Sequence, residues 1–132
     1  MKNVAIIPAR GGSKRIIGKN IRLFHNKPMI SWVINIAQNS GCFEKIIVST
    51  DCEKIAELCK SLGAEVPFLR PKNISDDYTS VIEVIRHAIE FFKSKDEFYE
   101  LVTLIYPTAP LMKVSDLEKA IKFIGEYDFS MS

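Results

Sequence analysis

Short apolar runs alternate with longer amphipathic stretches along the whole chain. The runs at 4–7, 46–48 and 101–105 are almost continuously apolar, a pattern typical of strands that are buried on both faces of a sheet. Between and after these runs, apolar residues recur at the spacing of a helix. Strands that alternate with helices predict an α/β fold, in which a mostly parallel sheet is covered by helices on both faces.

The predicted helices have recognisable start and stop signals. The first follows Pro28 and ends at Gly41, because proline suits the first turn of a helix and glycine its C-terminal end. The other three begin at capping boxes, each a Ser or Thr with a Glu three residues later: Thr50 with Glu53, Ser80 with Glu83, and Ser115 with Glu118. Gly63 ends the second helix, and a short extended piece at 66–69 follows it. The last residues, YDFSMS, predict the start of another strand.

Composition narrows the class of protein. The 132 residues suffice for one domain, and 47% hydrophobic with 26% charged residues is typical of a globular protein. Because no apolar run approaches about 20 residues, and no signal-peptide pattern opens the chain, we expect a cytoplasmic protein with no membrane partner. A net charge of +2 is too small to indicate a nucleic-acid partner. The three cysteines lack metal-binding spacing.

A candidate ligand site follows from the predicted topology. In parallel α/β sheets, ligands bind beyond the carboxyl ends of the strands. Three loops lie there in the predicted fold: residues 8–20, 49–52 and 106–113.

The first of these loops has the chemistry of an anion site. Gly11 and Gly12 let backbone amides approach an anion, and Ser13 adds a hydroxyl donor. Positive charge comes from Arg10, Lys14, Arg15 and Lys19. Each cation–anion contact is worth about 4 kcal/mol before desolvation, at 4 Å and an effective dielectric of about 20. The loop fits neither the Walker A nor the dinucleotide pattern, and the alternative is a solvated basic turn.

Two later positions are also candidates. Arg70 precedes Pro71, which fixes a turn, so an exposed arginine there can stack on a base or donate to one. The alternative is an ordinary surface arginine. In "YPTAP", Pro107 and Pro110 predict a rigid loop after a buried strand, and the alternative is a plain strand-ending turn. Asp51 lies where a metal ligand could sit, but N-capping of the next helix explains it more simply.

Three segments together resemble a known family. "IIPARGGSKRIIGKN" is similar to the opening signature of the acylneuraminate cytidylyltransferases, and "VPFLRPKNISDDYTS" and "LIYPTAPL" resemble two later motifs of that family in the same order. The resemblance covers essentially the whole chain. The tyrosine in "IYPTAP" is more similar to the pseudaminic acid branch, since sialic acid enzymes usually have glutamine there.

The resemblance implies a Rossmann-like nucleotidyltransferase that joins CMP from CTP to an acidic nine-carbon sugar, uses Mg²⁺ and releases pyrophosphate. Its partners would be CTP and the sugar. Carried over by position, Lys19 and Arg10 would be catalytic, with Lys19 stabilising charge in the transition state. The nucleotide would be bound by Arg10, Gly11, Gly12, Ser13, Lys14, Lys19, Asn20, Arg70 and Thr79. Tyr106, Pro107 and Thr108 would lie beside the sugar.

The chain also departs from the family pattern. Ile17 replaces a common proline, and the family's metal-binding aspartates and dimerisation segment belong to a later half, so no metal ligand is assigned in this chain. We therefore interpret residues 1–132 as a CTP-binding domain, the N-terminal part of a longer fold. It would act as a homodimer or with a C-terminal half. Two alternatives stay open: a non-catalytic nucleotide-binding module, and a nucleotidyltransferase acting on a neutral sugar phosphate.

Overall fold

The computed structural model describes residues 2–9, 23–24, 26–71, 73 and 81–106. Eight elements lie in this part of the chain. The strands are β1 (Asn3–Pro8), β2 (Leu23–Phe24), β3 (Lys27–Pro28), β4 (Lys45–Ser49) and β5 (Leu101–Leu104), and the helices are α1 (Met29–Ser40), α2 (Glu53–Ser61) and α3 (Val81–Ser94). The predicted fourth helix and final strand lie outside the described residues.

The main sheet has the order β4-β1-β5, and both pairings are parallel. Strand β1 is central: Pro8 is opposite Ser49 of β4, and Ile6 is opposite Leu104 of β5. Strands β2 and β3 form a separate antiparallel pair. The prediction of a parallel α/β sheet is confirmed for the described residues.

Helices cover both faces of the sheet. Alternate side chains of β1 point to opposite faces, so Ala5 and Ile7 pack with the buried residues of α1 and α2, while Val4 and Ile6 pack with α3. All four are fully buried. The continuous apolar run in β1 therefore reflects two cores, one on each side of the strand.

Helix α1 follows its predicted pattern. Its buried residues include Ile30, Val33, Ile34 and Ala37, which recur at the spacing of one helix face. Gly41 ends the helix in the left-handed conformation, with φ of 65°.

The predicted capping box of α2 is wrong. The N-cap of α2 is Cys52, so neither Thr50 nor Asp51 occupies that position, and no side chain caps this helix end. The Thr50 hydroxyl instead accepts a hydrogen bond from the backbone N–H of Cys52 at 3.1 Å. This local bond competes with capping because a threonine hydroxyl reaches the amide two residues ahead.

Strand β5 is less buried than its apolar sequence predicted. All four of its residues are half-buried, because β5 lies at an edge of the described sheet. Ile105, which follows it, is buried. None of the helices in the described part of the chain is long and apolar enough to cross a membrane.

Glycine at position 63 fixes the turn after α2. Gly63 has φ of +94°, and a Cβ there would lie 2.6 Å from Nε2 of Gln38. That nitrogen donates a hydrogen bond to the Leu62 carbonyl at 3.0 Å. The turn thus joins the end of α2 to α1 and sets the direction of the chain that follows.

We expect Gly63→Ala to lower the free energy of unfolding by about 2–3 kcal/mol, from backbone strain and the displaced Gln38 amide. Gly41→Ala is the matched control: φ is +65°, but nothing lies within 4 Å of the added Cβ. It should cost only about 1 kcal/mol. Urea unfolding measures both, and equal losses would show that the Gln38 contact does not matter.

One ion pair ties β4 to the chain between α3 and β5. Lys45 Nζ lies 3.1 Å from a carboxylate oxygen of Glu97, and the Tyr99 hydroxyl donates to the same oxygen at 3.1 Å. The hydrogen bond from Lys45 is the main cause that lowers the pKa of Glu97, while burial works against it. The same bond raises the pKa of Lys45.

A carboxyl group with a lowered pKa stabilises the folded state above its ordinary value of 4.5, and this contribution is lost as the pH falls through the lowered pKa. Urea midpoints should therefore fall more steeply below about pH 4.5 in the wild type than in Glu97→Gln. Glu44→Gln is the control, because Glu44 lies 4.0 Å from Lys2 and both side chains are about half exposed. Equal acid sensitivity of wild type and Glu97→Gln would contradict this assignment.

Candidate functional site

Strands β1, β4 and β5 all end at one edge of the sheet. Beyond the last paired residues, the Ala9 N–H donates to the Ser49 carbonyl at 2.9 Å, and the Ile105 N–H donates to the Ile6 carbonyl at 3.0 Å. The chain therefore leaves β1 at Ala9, at the centre of this edge, between the ends of β4 and β5. The predicted anion loop thus starts where parallel sheets bind ligands.

The segment 65–70 runs beside β4 to the same edge. Its start is paired in parallel with β4. The backbone N–H of Glu65 donates to the Ile46 carbonyl, and the Glu65 carbonyl accepts from the Val48 N–H, both at 2.9 Å. At its end, the Arg70 N–H donates to the Thr50 carbonyl at 2.7 Å. The chain thus pairs with β4 at Glu65, bends at Phe68, and brings Arg70 to the carboxyl end of β4, so the predicted extended piece at 66–69 is not a regular strand.

Burial alternates along this segment. Ala64 and Arg70 are buried and Val66 and Phe68 are half-buried, whereas the residues between them are exposed. Val66 packs against the core on the α1 and α2 face of the sheet, and Phe68, at a bend in the chain, packs against the core on the α3 face.

Arg70 is buried, with only 5% of its surface exposed. The expectation of an exposed arginine was wrong, and so was its alternative, a surface arginine. The prolines at 67 and 71 are typical of an exposed turn, so the sequence contained no sign that Arg70 is buried. Burying a guanidinium costs free energy unless neighbouring groups compensate its charge, so the burial of Arg70 indicates a specific environment.

His87 of α3 faces the same region. Its ring lies edge-on to the Phe68 ring, with centroids 4.7 Å apart. Burial lowers the pKa of His87 first, the positive charge of Arg70 lowers it further, and Glu90 acts in the opposite direction. The contact with Phe68 makes His87 part of the packing between segment 65–70 and α3. Its position three residues after the buried Val84 is a sequence signal for an inward-facing residue.

Two hydroxyl residues at the end of β4 were also missed. Ser49 and Thr50 are fully buried. Thr50 connects the end of β4 to two other parts of the chain. Its hydroxyl accepts a hydrogen bond from the Cys52 N–H, and its carbonyl accepts one from the Arg70 N–H. The Ser49 hydroxyl has no hydrogen-bond partner within the described residues. Their sequence signal was weak, because hydroxyl residues are common at strand ends.

Tyr106 lies on the other side of β1, two residues after the end of β5, with 51% of its surface exposed. The described chain therefore brings two predicted site residues to one edge, with Arg70 beyond β4 and Tyr106 beyond β5. The other predicted site residues lie outside the described residues: Arg10, Gly11, Gly12, Ser13, Lys14, Lys19, Asn20, Thr79, Pro107 and Thr108.

The described residues do not fit a metal ion. They contain no group of three or more His, Cys, Asp or Glu side chains that could hold one. All three thiols are free, and burial raises the pKa of Cys59 to about 12, so this thiol is an inert core group. The Mg²⁺ that the resemblance implies has no site in this part of the chain.

Comparison with known families gives one match to nearly the whole chain. A family model described as "Cytidylyltransferase" matches residues 4–132.

Named relatives share much of the sequence. A pseudaminic acid cytidylyltransferase of Campylobacter jejuni is 50% identical over 125 residues, which cover 94% of this chain and 54% of the relative. A CMP-N,N'-diacetyllegionaminic acid synthase of Legionella pneumophila is 40% identical, over 92% of this chain and 53% of the relative. The chain thus spans about half the length of these relatives.

Solved structures share the fold. A CMP:2-keto-3-deoxy-manno-octonic acid synthetase complexed with CTP superposes with a TM-score of 0.78 at 21% identity, covering 97% of this chain and 49% of that one. A cytidylyltransferase of Leptospira borgpetersenii gives a TM-score of 0.74 at 21% identity, over 96% of this chain and 50% of that one.

Proposed function

The chain belongs to the cytidylyltransferase family, and we propose that it takes part in the transfer of CMP from CTP to an acidic nine-carbon sugar, with release of pyrophosphate. The pseudaminic acid cytidylyltransferase, at 50% identity, supports a sugar of the pseudaminic or sialic acid type. The proposed reaction belongs to the cytoplasm, and three free thiols agree with a reducing compartment.

One observation carries the proposal: the sheet brings the start of the basic loop, Arg70 and Tyr106 to a single edge. The loop begins after β1, in the centre, and the other two residues lie beyond the strands on either side. A nucleotide whose phosphates lie over β1 would have its base on the β4 side, next to Arg70. The sugar would then lie on the β5 side, next to Tyr106.

This arrangement suits a displacement at phosphorus. The anomeric hydroxyl oxygen of the sugar attacks the α-phosphorus of CTP, a new P–O bond forms, and the bond to the pyrophosphate oxygen breaks while the hydroxyl proton is lost to solvent. Negative charge grows on the leaving pyrophosphate, where Arg10 and Lys19 would offset it. The basic loop would thus act by position and charge.

The family expectation of Mg²⁺ remains a proposal. The described residues offer no cluster of side chains to hold the ion. Nucleotide titrations with and without Mg²⁺ test this expectation directly.

We expect CTP to bind the chain, and Lys19→Ala to weaken binding by about tenfold to a hundredfold, because it removes a charged contact to phosphate. Isothermal titration calorimetry measures the affinities. Lys93→Ala is the matched control, since Lys93 is exposed in the last turn of α3 and is not one of the predicted site residues. A folded chain that does not bind millimolar CTP, or equal losses in both variants, would refute the nucleotide site.

Turnover is expected to release pyrophosphate only when CTP and an acidic nine-carbon sugar are both present, and faster with pseudaminic acid than with N-acetylneuraminic acid. A coupled pyrophosphate assay measures this, with UTP, GTP and dTTP as competing nucleotides. Binding of CTP without turnover would favour the non-catalytic nucleotide-binding module. A preference for another nucleotide and a neutral sugar phosphate would favour the alternative nucleotidyltransferase that acts on a neutral sugar phosphate.

A further inference from the structure

We propose that Phe68 is a positioning residue: its ring, packed against two rings of α3, fixes the bend that carries Arg70 to the edge of the sheet, and so sets the preference of the chain for the base of its nucleotide. This inference rests on the proposed function, because it takes the base as the ligand of Arg70. It gives a packing residue a part in selectivity.

The segment 65–70 is attached to the sheet near its two ends. At the start, the Glu65 N–H donates to the Ile46 carbonyl at 2.9 Å, and at the end the Arg70 N–H donates to the Thr50 carbonyl at 2.7 Å. Between these points, residues 66–69 make no backbone hydrogen bond with the rest of the described chain. The conformation of this stretch therefore depends on where its side chains pack.

Phe68 ties the middle of the segment to α3. Its ring centroid lies 4.7 Å from that of His87, with the two rings edge to face, and 5.1 Å from that of Phe91. His87 and Phe91 are four residues apart, so they lie on one face of the helix. Val66 packs on the opposite face of the sheet, which leaves Phe68 as the side chain that joins the segment to the core beneath α3.

The chain meets α3 on both sides of Arg70. Phe68 lies two residues before Arg70, and Pro71, the residue after it, lines a cleft together with His87. Only 5% of the surface of Arg70 is exposed, so its side chain is surrounded mainly by protein. Because close-packed groups have little room to adjust, a shift of the backbone at Phe68 would be transmitted to Arg70.

A positioning role predicts a change in selectivity, which a loss of core packing alone does not. A guanidinium only donates hydrogen bonds. Cytosine presents an acceptor at N3, where uracil presents an N–H, so a well-placed Arg70 would favour CTP over UTP. A displaced Arg70 would discriminate less between the two, whereas binding of the phosphates by the loop after β1 would not change.

The experiment is to titrate CTP, UTP and inorganic triphosphate into the wild type, Phe68→Leu and Phe68→Tyr. We expect Phe68→Leu to lower the ratio of CTP to UTP affinity by about fivefold to tenfold, through loss of the two ring contacts, and to leave triphosphate binding unchanged. Phe68→Tyr should keep most of the wild-type ratio, because it retains the ring at a half-buried position. An unchanged ratio in Phe68→Leu, or an equal loss for triphosphate, would overturn the proposal.

Tyr99→Leu is the matched control. Tyr99 packs in the same core, with its ring centroid 5.2 Å from that of Phe92, but it lies outside segment 65–70. This variant should lower the urea midpoint, as Phe68→Leu does, and leave the ratio of CTP to UTP affinity as in the wild type. If both variants changed the ratio equally, loosening of the core would explain the effect, and Phe68 would have no positioning role.

A second measurement needs no ligand. Amide hydrogen exchange of the nucleotide-free chain, followed by NMR, reports the opening of each backbone hydrogen bond. In Phe68→Leu we expect the Arg70 amide to exchange about tenfold faster relative to the Glu65 amide, because the bend is no longer held against α3. In Tyr99→Leu this relative rate should stay as in the wild type. An unchanged relative rate in Phe68→Leu would overturn this inference alone, whereas a folded wild-type chain that binds no CTP would overturn the proposed function.

Discussion

Strand β1 is hydrogen-bonded on both sides, to β4 and β5, and covered by apolar side chains on both faces. Full burial of an aliphatic side chain contributes about 1.5–3 kcal/mol, and Val4, Ile6 and Ile7 are all fully buried. The carboxyl end of β1 therefore cannot shift without breaking pairing on two sides and packing on two faces. This constraint fixes the point from which the basic loop leaves the sheet.

The β4 side of the site depends on a second, more local constraint. Gly63 turns the chain out of α2 in a backbone conformation that few other residues adopt. The chain then pairs with β4 at Glu65 and meets it again where Arg70 binds Thr50. Because the turn and the pairing follow one another along the chain, Arg70, seven residues after Gly63, reaches the same edge as the end of β1. His87 comes to this place from the other direction, on a helix that packs against the face of β1 occupied by Val4 and Ile6.

Patterns that depend on nearby residues predicted most of the described fold. The apolar run of β1, the helical spacing of α1 and the stop at Gly41 are local signals, and each was confirmed. What the sequence could not supply were relations between distant residues. Arg70 is buried although it lies outside every helix and strand, and the contact between the Phe68 and His87 rings arises only when segment 65–70 and α3 pack together. The Thr50 capping box failed for a local reason, since the same hydroxyl had a competing partner in the Cys52 amide.

The burial of Arg70 has a chemical consequence for the proposed site. Triphosphate is common to all nucleoside triphosphates, so a loop that binds it by charge supplies affinity with little discrimination between bases. Discrimination requires donors that lose their hydration and are left unsatisfied by the wrong base, and this penalty is large only where water is excluded. An arginine with 5% of its surface exposed meets that condition, and an arginine on a mobile surface would not. In the proposed function, the buried Arg70 would therefore discriminate between bases, and the loop after β1 would supply affinity for the phosphates.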